Sequence, residues 1–481
     1  MPTPVIPTST KRPGVYLRVT LGVGPASAGD APIRVLLIGN MLAAGSATVE
    51  ELVAVTGEDS ARDLFGAGSE LHLMARAAFD VYPSATVYAC PVAQSAGAQS
   101  AGTLTYAGTA TAPGTAYVKV IGEEIRVAVA NGDAAADVAT AVAAAINDET
   151  DWPVTAAAAL GVVTVTAKNT GPRGDLIGLT GTIDAAGLTA TPAAMTGGTT
   201  ADDPQNALDA VAAERFHYIV SPYQDAVGLA DVEAHCAAYA EPEEGKRQRW
   251  IAGSKDTLAT TTTLATGRND ARGQIVHLHN APQTPGMLAA AQAARRASRE
   301  GADVAANLNG EALPGILPPE SSADYPNGTA IASALNNGIT PLEVAQGEVR
   351  IVRSITTRSQ DAAGNPSYAV LDSHKVTVPD FIADDLAVGY VAEFSGFKAS
   401  PDVDDPQELP DGVLTPSVVK DWITARLVAH EEAALIVGVE ARASELSVEL
   451  LDSPAGCFAA SIPIDVIEWA NMFSGDLRQV G

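Results

Sequence analysis

Short uninterrupted apolar runs, alternating with stretches of helical spacing, set the rhythm of two separated parts of this chain. Ile33-Arg34-Val35-Leu36-Leu37-Ile38 ends at Gly39 and reads as a strand buried on both faces, as in a parallel sheet. Helical spacing follows over 47–56 and 69–81, then a second strand at 85–90. The same rhythm returns after residue 199. Strands at 216–220, 249–252 and 275–278 precede helices at 226–240, 256–266 and 287–299. Strands alternating with helices predict a doubly wound, mainly parallel α/β sheet with right-handed crossovers.

Between these parts the period changes. Ala93-Gln94-Ser95-Ala96-Gly97 repeats at once as Ala98-Gln99-Ser100-Ala101-Gly102, a small-residue linker. Thr/Val-rich strands are expected at 103–110, 116–121, 125–129, 162–167 and 175–180. An Ala-rich helix over 134–146 starts after the turn Asn131-Gly132-Asp133. A second loose run, 196–200, closes the stretch. Residues 93–198 therefore read as a small β-rich domain inserted into an α/β domain built from 33–92 and 199–313. Residues 314–481 read as an α+β assembly domain. It has β-type runs at 348–356 and 367–378 around a turn at 361–365, and helices at 380–394 and 416–436. Strands at 446–451 and 457–462, a short helix near 465–473 and a free tail complete it.

Residues 1–32 stand apart as an arm. Arg12-Pro13-Gly14-Val15-Tyr16-Leu17-Arg18-Val19-Thr20 has strand character, yet a proline-rich head precedes it and a loose run from Gly22 to Asp30 follows. A strand tethered by loose chain on both sides pairs poorly with its own domain and suits the sheet edge of another subunit. The side chains expected at such interfaces are Val15, Tyr16, Leu17 and Val19 in the arm, with Leu446, Val448, Leu450, Phe458 and Ile462 near the other end.

Composition narrows the function. The chain of 481 residues is 47% apolar but only 5% aromatic, which favours closely packed layers over deep aromatic pockets. Its 29 basic and 57 acidic residues give a net charge of −28. That charge opposes nucleic-acid binding and attraction to an anionic membrane. Self-association then needs complementary patches or backbone pairing, and responds to ionic strength. Cys90, Cys236 and Cys457 are widely spaced, with no CxxC, and read as small buried hydrophobes in a reducing cytosol. No signal core or membrane-length apolar run is present, so a soluble protein made in the cytoplasm is expected.

Candidate chemistry is thin. The loop Gly39–Ser46 follows a buried strand but lacks both the GxGxxG spacing and a Gly-Lys-Ser/Thr ending. Ser221, Asp225, Ser254, Asp256, His277 and His279 sit at strand ends, where doubly wound sheets place ligands, but no GxSxG elbow accompanies them. His277 and His279 alternate along a strand, so at most one face carries each. Asp402-Val403-Asp404-Asp405-Pro406 lacks the glycine and the final glutamate of a calcium loop. Arg173-Gly174-Asp175 and Asn327-Gly328-Thr329 match adhesion and glycosylation tripeptides by chance. Arg295, Arg296 and Arg299 form one cationic helix face, read as solvated or docking onto an acidic patch of a neighbour. No catalytic residue, cofactor site or metal site is expected.

Several segments, in their order and spacing, resemble the contractile tail sheath proteins of myophages, particularly the Mu-like group. They are Arg12-Pro13-Gly14-Val15-Tyr16, Leu64-Phe65-Gly66-Ala67-Gly68-Ser69-Glu70-Leu71, Gly338-Ile339-Thr340-Pro341-Leu342, the run 349–357, and Ala460-Ser461-Ile462-Pro463-Ile464-Asp465-Val466. The resemblance implies a subunit of a six-fold helical sleeve around a tail tube, assembled with baseplate and tail terminator proteins in the host cytoplasm and carried in the virion. It implies terminal arms, Pro13–Thr20 and roughly 446–481, that exchange strands between copies, and an outer domain at 93–198. Nucleic acid and direct membrane insertion are not expected. The competing readings are a surface or adhesion protein that binds through 93–198, and an α/β enzyme.

Overall fold

The computed structural model describes residues 32–403 and 410–471. The first part of the chain supplies β1 (Arg34–Asn40), β2 (Val53–Val55), α1 (Glu58–Phe65), α2 (Glu70–Val81) and β3 (Thr86–Val92). The helix expected over 47–56 does not form. β-branched Val53 and Val55 pair antiparallel with Ala89 and Val87 of β3, and Glu50 turns through left-handed backbone at φ 61°. Ser69 starts α2, its Oγ accepting a hydrogen bond from His72 N at 3.1 Å.

The insertion follows: β4 (Gln99–Gly108), β5 (Gly114–Val120), β6 (Glu123–Val129), α3 (Ala135–Asp148), β7 (Val154–Ala159), β8 (Val162–Thr170), β9 (Leu179–Ile183) and β10 (Leu188–Thr196). Two antiparallel sheets form, in the orders β10-β4-β8-β7 and β6-β5-β9. The second copy of the repeat is not linker: Gln99 and Ala101 already pair with β8. The strand expected at 175–180 begins only at Leu179, because Pro172–Leu176 makes a 3-10 turn. The two connectors run side by side. Ala98 N donates to Thr199 Oγ1 at 2.9 Å, and a Cβ at Gly97 would stand 1.7 Å from the Thr199 carbonyl oxygen.

The α/β rhythm then resumes with α4 (Gln205–Ala210), β11 (Tyr218–Ser221), α5 (Gly228–Tyr239), β12 (Arg249–Ser254), α6 (Leu258–Arg268), β13 (Gly273–His277) and α7 (Pro285–Glu300). After α8 (Gly328–Asn336) come β14 (Thr340–Ala345) and β15 (Glu348–Ile351). One eight-stranded sheet results, in the order β15-β14-β13-β12-β11-β1-β3-β2. It runs past residue 313, where the sequence placed a boundary, because β14 pairs parallel with β13. β1 lies parallel between β3 and β11, so the direction of winding reverses there. Val35 and Leu37 of β1 pack with α2 and α7, while Leu36 and Ile38 pack with α4, α5 and α6. This alternation buries the strand on both faces, as its unbroken apolar run requires.

A C-terminal layer contains α9 (His374–Phe394), β16 (Lys398–Ala399), β17 (Val413–Leu414), α10 (Pro416–Glu432), α11 (Val439–Arg442), β18 (Ser447–Leu451) and β19 (Cys457–Ser461). The run 367–378 is not a strand, because α9 begins inside it. Val378, Ile382 and Leu386 recur every four residues and share one core, so helical packing overrides the β-branched residues before Pro379. The helix expected near 465–473 is absent among its described residues. Val466 instead bridges to Ile436, and the segment lies extended.

Candidate assembly interface

The polar strand ends are consumed by the fold itself. Ser221 Oγ accepts from Tyr223 N, and Asp225 caps Gly228 N at 2.7 Å. Ser254 and Thr261 share a hydrogen bond of 2.7 Å between hydroxyls. His277, the last residue of β13, and His279, two residues on, turn to the same side. Both rings meet the carbonyl oxygen of Asp256, at 2.9 and 3.0 Å. Asn327 caps α8 through Ala330 N, and Asp402 holds Ser417 at the start of α10. No cluster of metal-ligating side chains occurs among the described residues. Cys90 and Cys236 are buried, Cys457 is half-buried, and all three are free.

The cationic face of α7 is solvated only at Arg299; Arg295 and Arg296 turn inward to partners within the chain. Arg296 is buried against Glu300 at 2.7 Å, and Glu300 also accepts from the Tyr218 hydroxyl. Burial works against the charge of Arg296, yet the carboxylate beside it keeps its pKa above the usual range. Arg295 and Arg299 both reach Glu311, at 3.7 and 3.3 Å. A second basic group, unmarked in the sequence, joins the sheet to α9. Arg272 grips Asp380 with two hydrogen bonds of 2.8 and 2.9 Å, while Arg247 and Arg215 both bind Asp384. Burial pushes the pKa of Asp380 up, but Arg272 outweighs it and holds the carboxyl below its usual range.

Sheet edges differ sharply between regions. β2 is only three residues long, and the outer edge of β15 is covered by the loop 310–313. Gly310 N donates to Ile351 O, Ile351 N to Glu311 O and Leu313 N to Val349 O, at 2.8, 2.9 and 2.9 Å. β18 and β19 pair only with each other, in an antiparallel hairpin that puts Leu450 opposite Phe458. Among the described residues, neither strand has another backbone partner along its outer edge. Such an open edge is a template for a further strand.

The residues singled out near the C-terminus all sit around this hairpin. Leu446 is buried in the core beneath it, Val448, Phe458 and Ile462 are half-buried against that core, and Leu450 is half-buried. Val15, Tyr16, Leu17 and Val19 lie outside the described residues. Apolar surface surrounds the hairpin's layer: Val388 and Val391 on α9 are 70% and 54% exposed, and Phe397, Val428 and Val437 are exposed as well. The scarce aromatics gather here too. Tyr390, Phe394, Phe397 and Trp422 form an edge-to-face chain with centroids 5.4–6.1 Å apart. The expected free tail is not free through residue 471. Trp469 stacks on His374 at 3.9 Å and donates to Ala305 O, and Asn471 accepts from Asn307 and Asn309.

Residues 197–357 match the family model described as phage tail sheath protein central domain. The chain is also 26% identical over 455 residues to the Mu-like prophage FluMu tail sheath protein of Haemophilus influenzae, covering 92% of each. A sheath tail protein of Listeria innocua has the same fold, with a TM-score of 0.50 at 13% identity over 93% of this chain and 94% of that one. One from Desulfitobacterium hafniense scores 0.49 at 15% identity, over 93% and 99%. The resemblance read from the sequence is thus shared by a family model, a full-length relative and a solved fold.

Proposed function

We propose that this chain, with its phage tail sheath central domain, is a non-enzymatic subunit of a contractile sleeve in the virion, assembled in the host cytoplasm. Copies stack as six-fold rings into a helical sleeve around a tail tube, with baseplate and tail terminator proteins at its ends. The observation that carries the reading is the β18–β19 hairpin, open along both outer edges beside exposed apolar side chains, in a chain that closes the edge at β15. Residues 13–20 of another copy, with Val15, Tyr16, Leu17 and Val19 as the pairing side chains, are its expected occupant. Backbone pairing tolerates the charge of −28 because it needs no complementary side-chain charge. Contacts between identical subunits that do not close generate helical filaments. On this reading 93–198 is an outer domain and 314–481 the assembly region. Contraction buries further α/β surface while the arm strands stay paired.

Electron micrographs of the purified chain test this. Hollow sleeves are expected from the full chain and folded, soluble subunits after deletion of residues 1–20. A full chain that stays monomeric at all concentrations, or a deletion that still polymerises, overturns it.

A further inference from the structure

The winding of the large sheet reverses at β1, between β3 and β11, and open α/β folds place ligands in the crevice beyond the strand ends at such a point. Here the crevice is bounded by Asn40 at the end of β1, Tyr223 just beyond β11, Glu70 in the first turn of α2 and the start of α7. It is filled from within. The 3-10 turn Pro172–Leu176 of the insertion sends Arg173 into it. Its Nε and Nη2 meet the two Glu70 oxygens at 2.7 and 2.9 Å. Nη2 also meets Asn40 Oδ1 at 2.6 Å and Asp202 Oδ2 at 2.7 Å, and the guanidinium carbon lies 4.5 Å from the centre of the Tyr223 ring. Asn169, next to the turn, accepts from Glu70 N and donates to Met41 O. The space left beside Arg173 is about 40 Å³, room for water and little more.

We propose that Arg173 is an intramolecular plug: the insertion occupies the switch-point crevice with its own side chain, and this contact fixes the insertion's orientation on the α/β body. The partners come from four separate places, β1, α2, the returning connector and the loop after β11. One guanidinium therefore ties the insertion to both halves of the discontinuous domain. Arginine is the side chain suited to this, because a planar fork serves a carboxylate through two donors while also stacking on an aromatic ring. The plug leaves the crevice no room for a nucleotide-sized ligand, and it engages the arginine of the Arg-Gly-Asp tripeptide within the fold. The inference does not depend on the sleeve reading.

The test compares the full chain with Arg173→Met and Arg173→Lys by hydrogen exchange, read separately at the connectors (93–98 and 197–204) and within β1 and β11. For Arg173→Met, exchange at the connectors rises by about tenfold or more while β1 and β11 keep their protection, and lysine does not restore it. Glu70→Gln, which removes charge but little volume, gives a smaller rise at the same places and serves if Arg173→Met fails to fold. Unchanged connectors in both the Arg173→Met and Glu70→Gln variants overturn the plug. So does an equal loss of protection in β1 and β11, which marks Arg173 as a general stabiliser with no control over orientation.

Discussion

The insertion and the C-terminal layer both hang on the same sheet, and they are attached in opposite ways. The insertion shares one continuous apolar core with α2 and α7, and its seam is riveted by Arg173, Asn169 and Lys168, which donates to Ala67 O across it. The C-terminal layer has a small core of its own, and the seam through Asp380 and Asp384 holds it to the sheet. One attachment is finished within the molecule. The other leaves a hairpin edge and apolar side chains facing outward, as an element does whose burial is completed by another chain. On the proposed reading, self-association of so acidic a protein uses the surface where backbone and apolar contacts dominate over charge.

The largest effect that separates the two attachments is expected at their charged seam. Asp380→Ala leaves Arg272 buried without its carboxylate, and stability should fall by about 3–5 kcal/mol in denaturant titrations. A fall no larger than that of a surface variant shows that the seam is solvated and the C-terminal layer loosely held.

Acid acts next, chiefly on the α/β body. Burial pushes His217 down to about 3 and His72 and His235 to about 4, so all three are neutral in the folded chain. An unfolded histidine protonates near pH 6.5, so this stability is whole above that pH and drains away as pH falls towards the folded values. His217 contributes a slope of up to about 1.4 kcal/mol per pH unit in that window. His217→Asn can still accept from Arg34 N in place of Nδ1, and its stability curve should be shallower below pH 6.5. Parallel curves for the two proteins contradict the assignment.

Helix caps give a matched pair. Ser69→Ala in α2 and Thr415→Ala in α10 each remove an N-cap acceptor and should cost about 1 kcal/mol. Hydrogen exchange should register the first as global unfolding and the second as local opening of the C-terminal layer. If both appear as global unfolding, the layer is as firmly integrated as the body.

The smallest change in stability is expected at the exposed face of α9. Val388→Asp should alter the unfolding free energy by less than about 0.5 kcal/mol. Sedimentation should nevertheless show polymerisation lost, since a charge cannot be buried there in an interface. Polymers of normal length place the contact elsewhere.

How legible this was in the sequence depended on where each element's partners lie. β1, β11, β12 and β13 announced themselves because burial on both faces demands adjacent apolar residues, such as Val35–Ile38, Tyr218–Val220, Trp250–Ala252 and Ile275-Val276. β7 and β10 did not, since Thr155-Ala156-Ala157-Ala158-Ala159 and Ala190-Thr191-Pro192-Ala193-Ala194 carry neither alternation nor bulk. Val376-Thr377-Val378 pointed to a strand because β-branching is a local signal, whereas the core that makes it helical is tertiary. Arg173 was seen only as part of a chance tripeptide. Glu70 lies 103 residues away and Asn40 133, and no spacing rule reaches that far. The hairpin residues around Leu450 and Phe458 were found because strand pattern and turn are adjacent in sequence.

The connectors at Gly97 and Thr199 have a practical corollary. A module that leaves and rejoins the chain through one gap can be exchanged for a folded cargo whose ends meet at a similar separation, provided the cargo also covers the apolar faces of α2 and α7 that the insertion buries. The graft has a charge requirement as well. Glu70 and Asp202 remain behind as facing carboxylates, so the cargo must either return a guanidinium to them or be joined to a chain in which they have been made neutral.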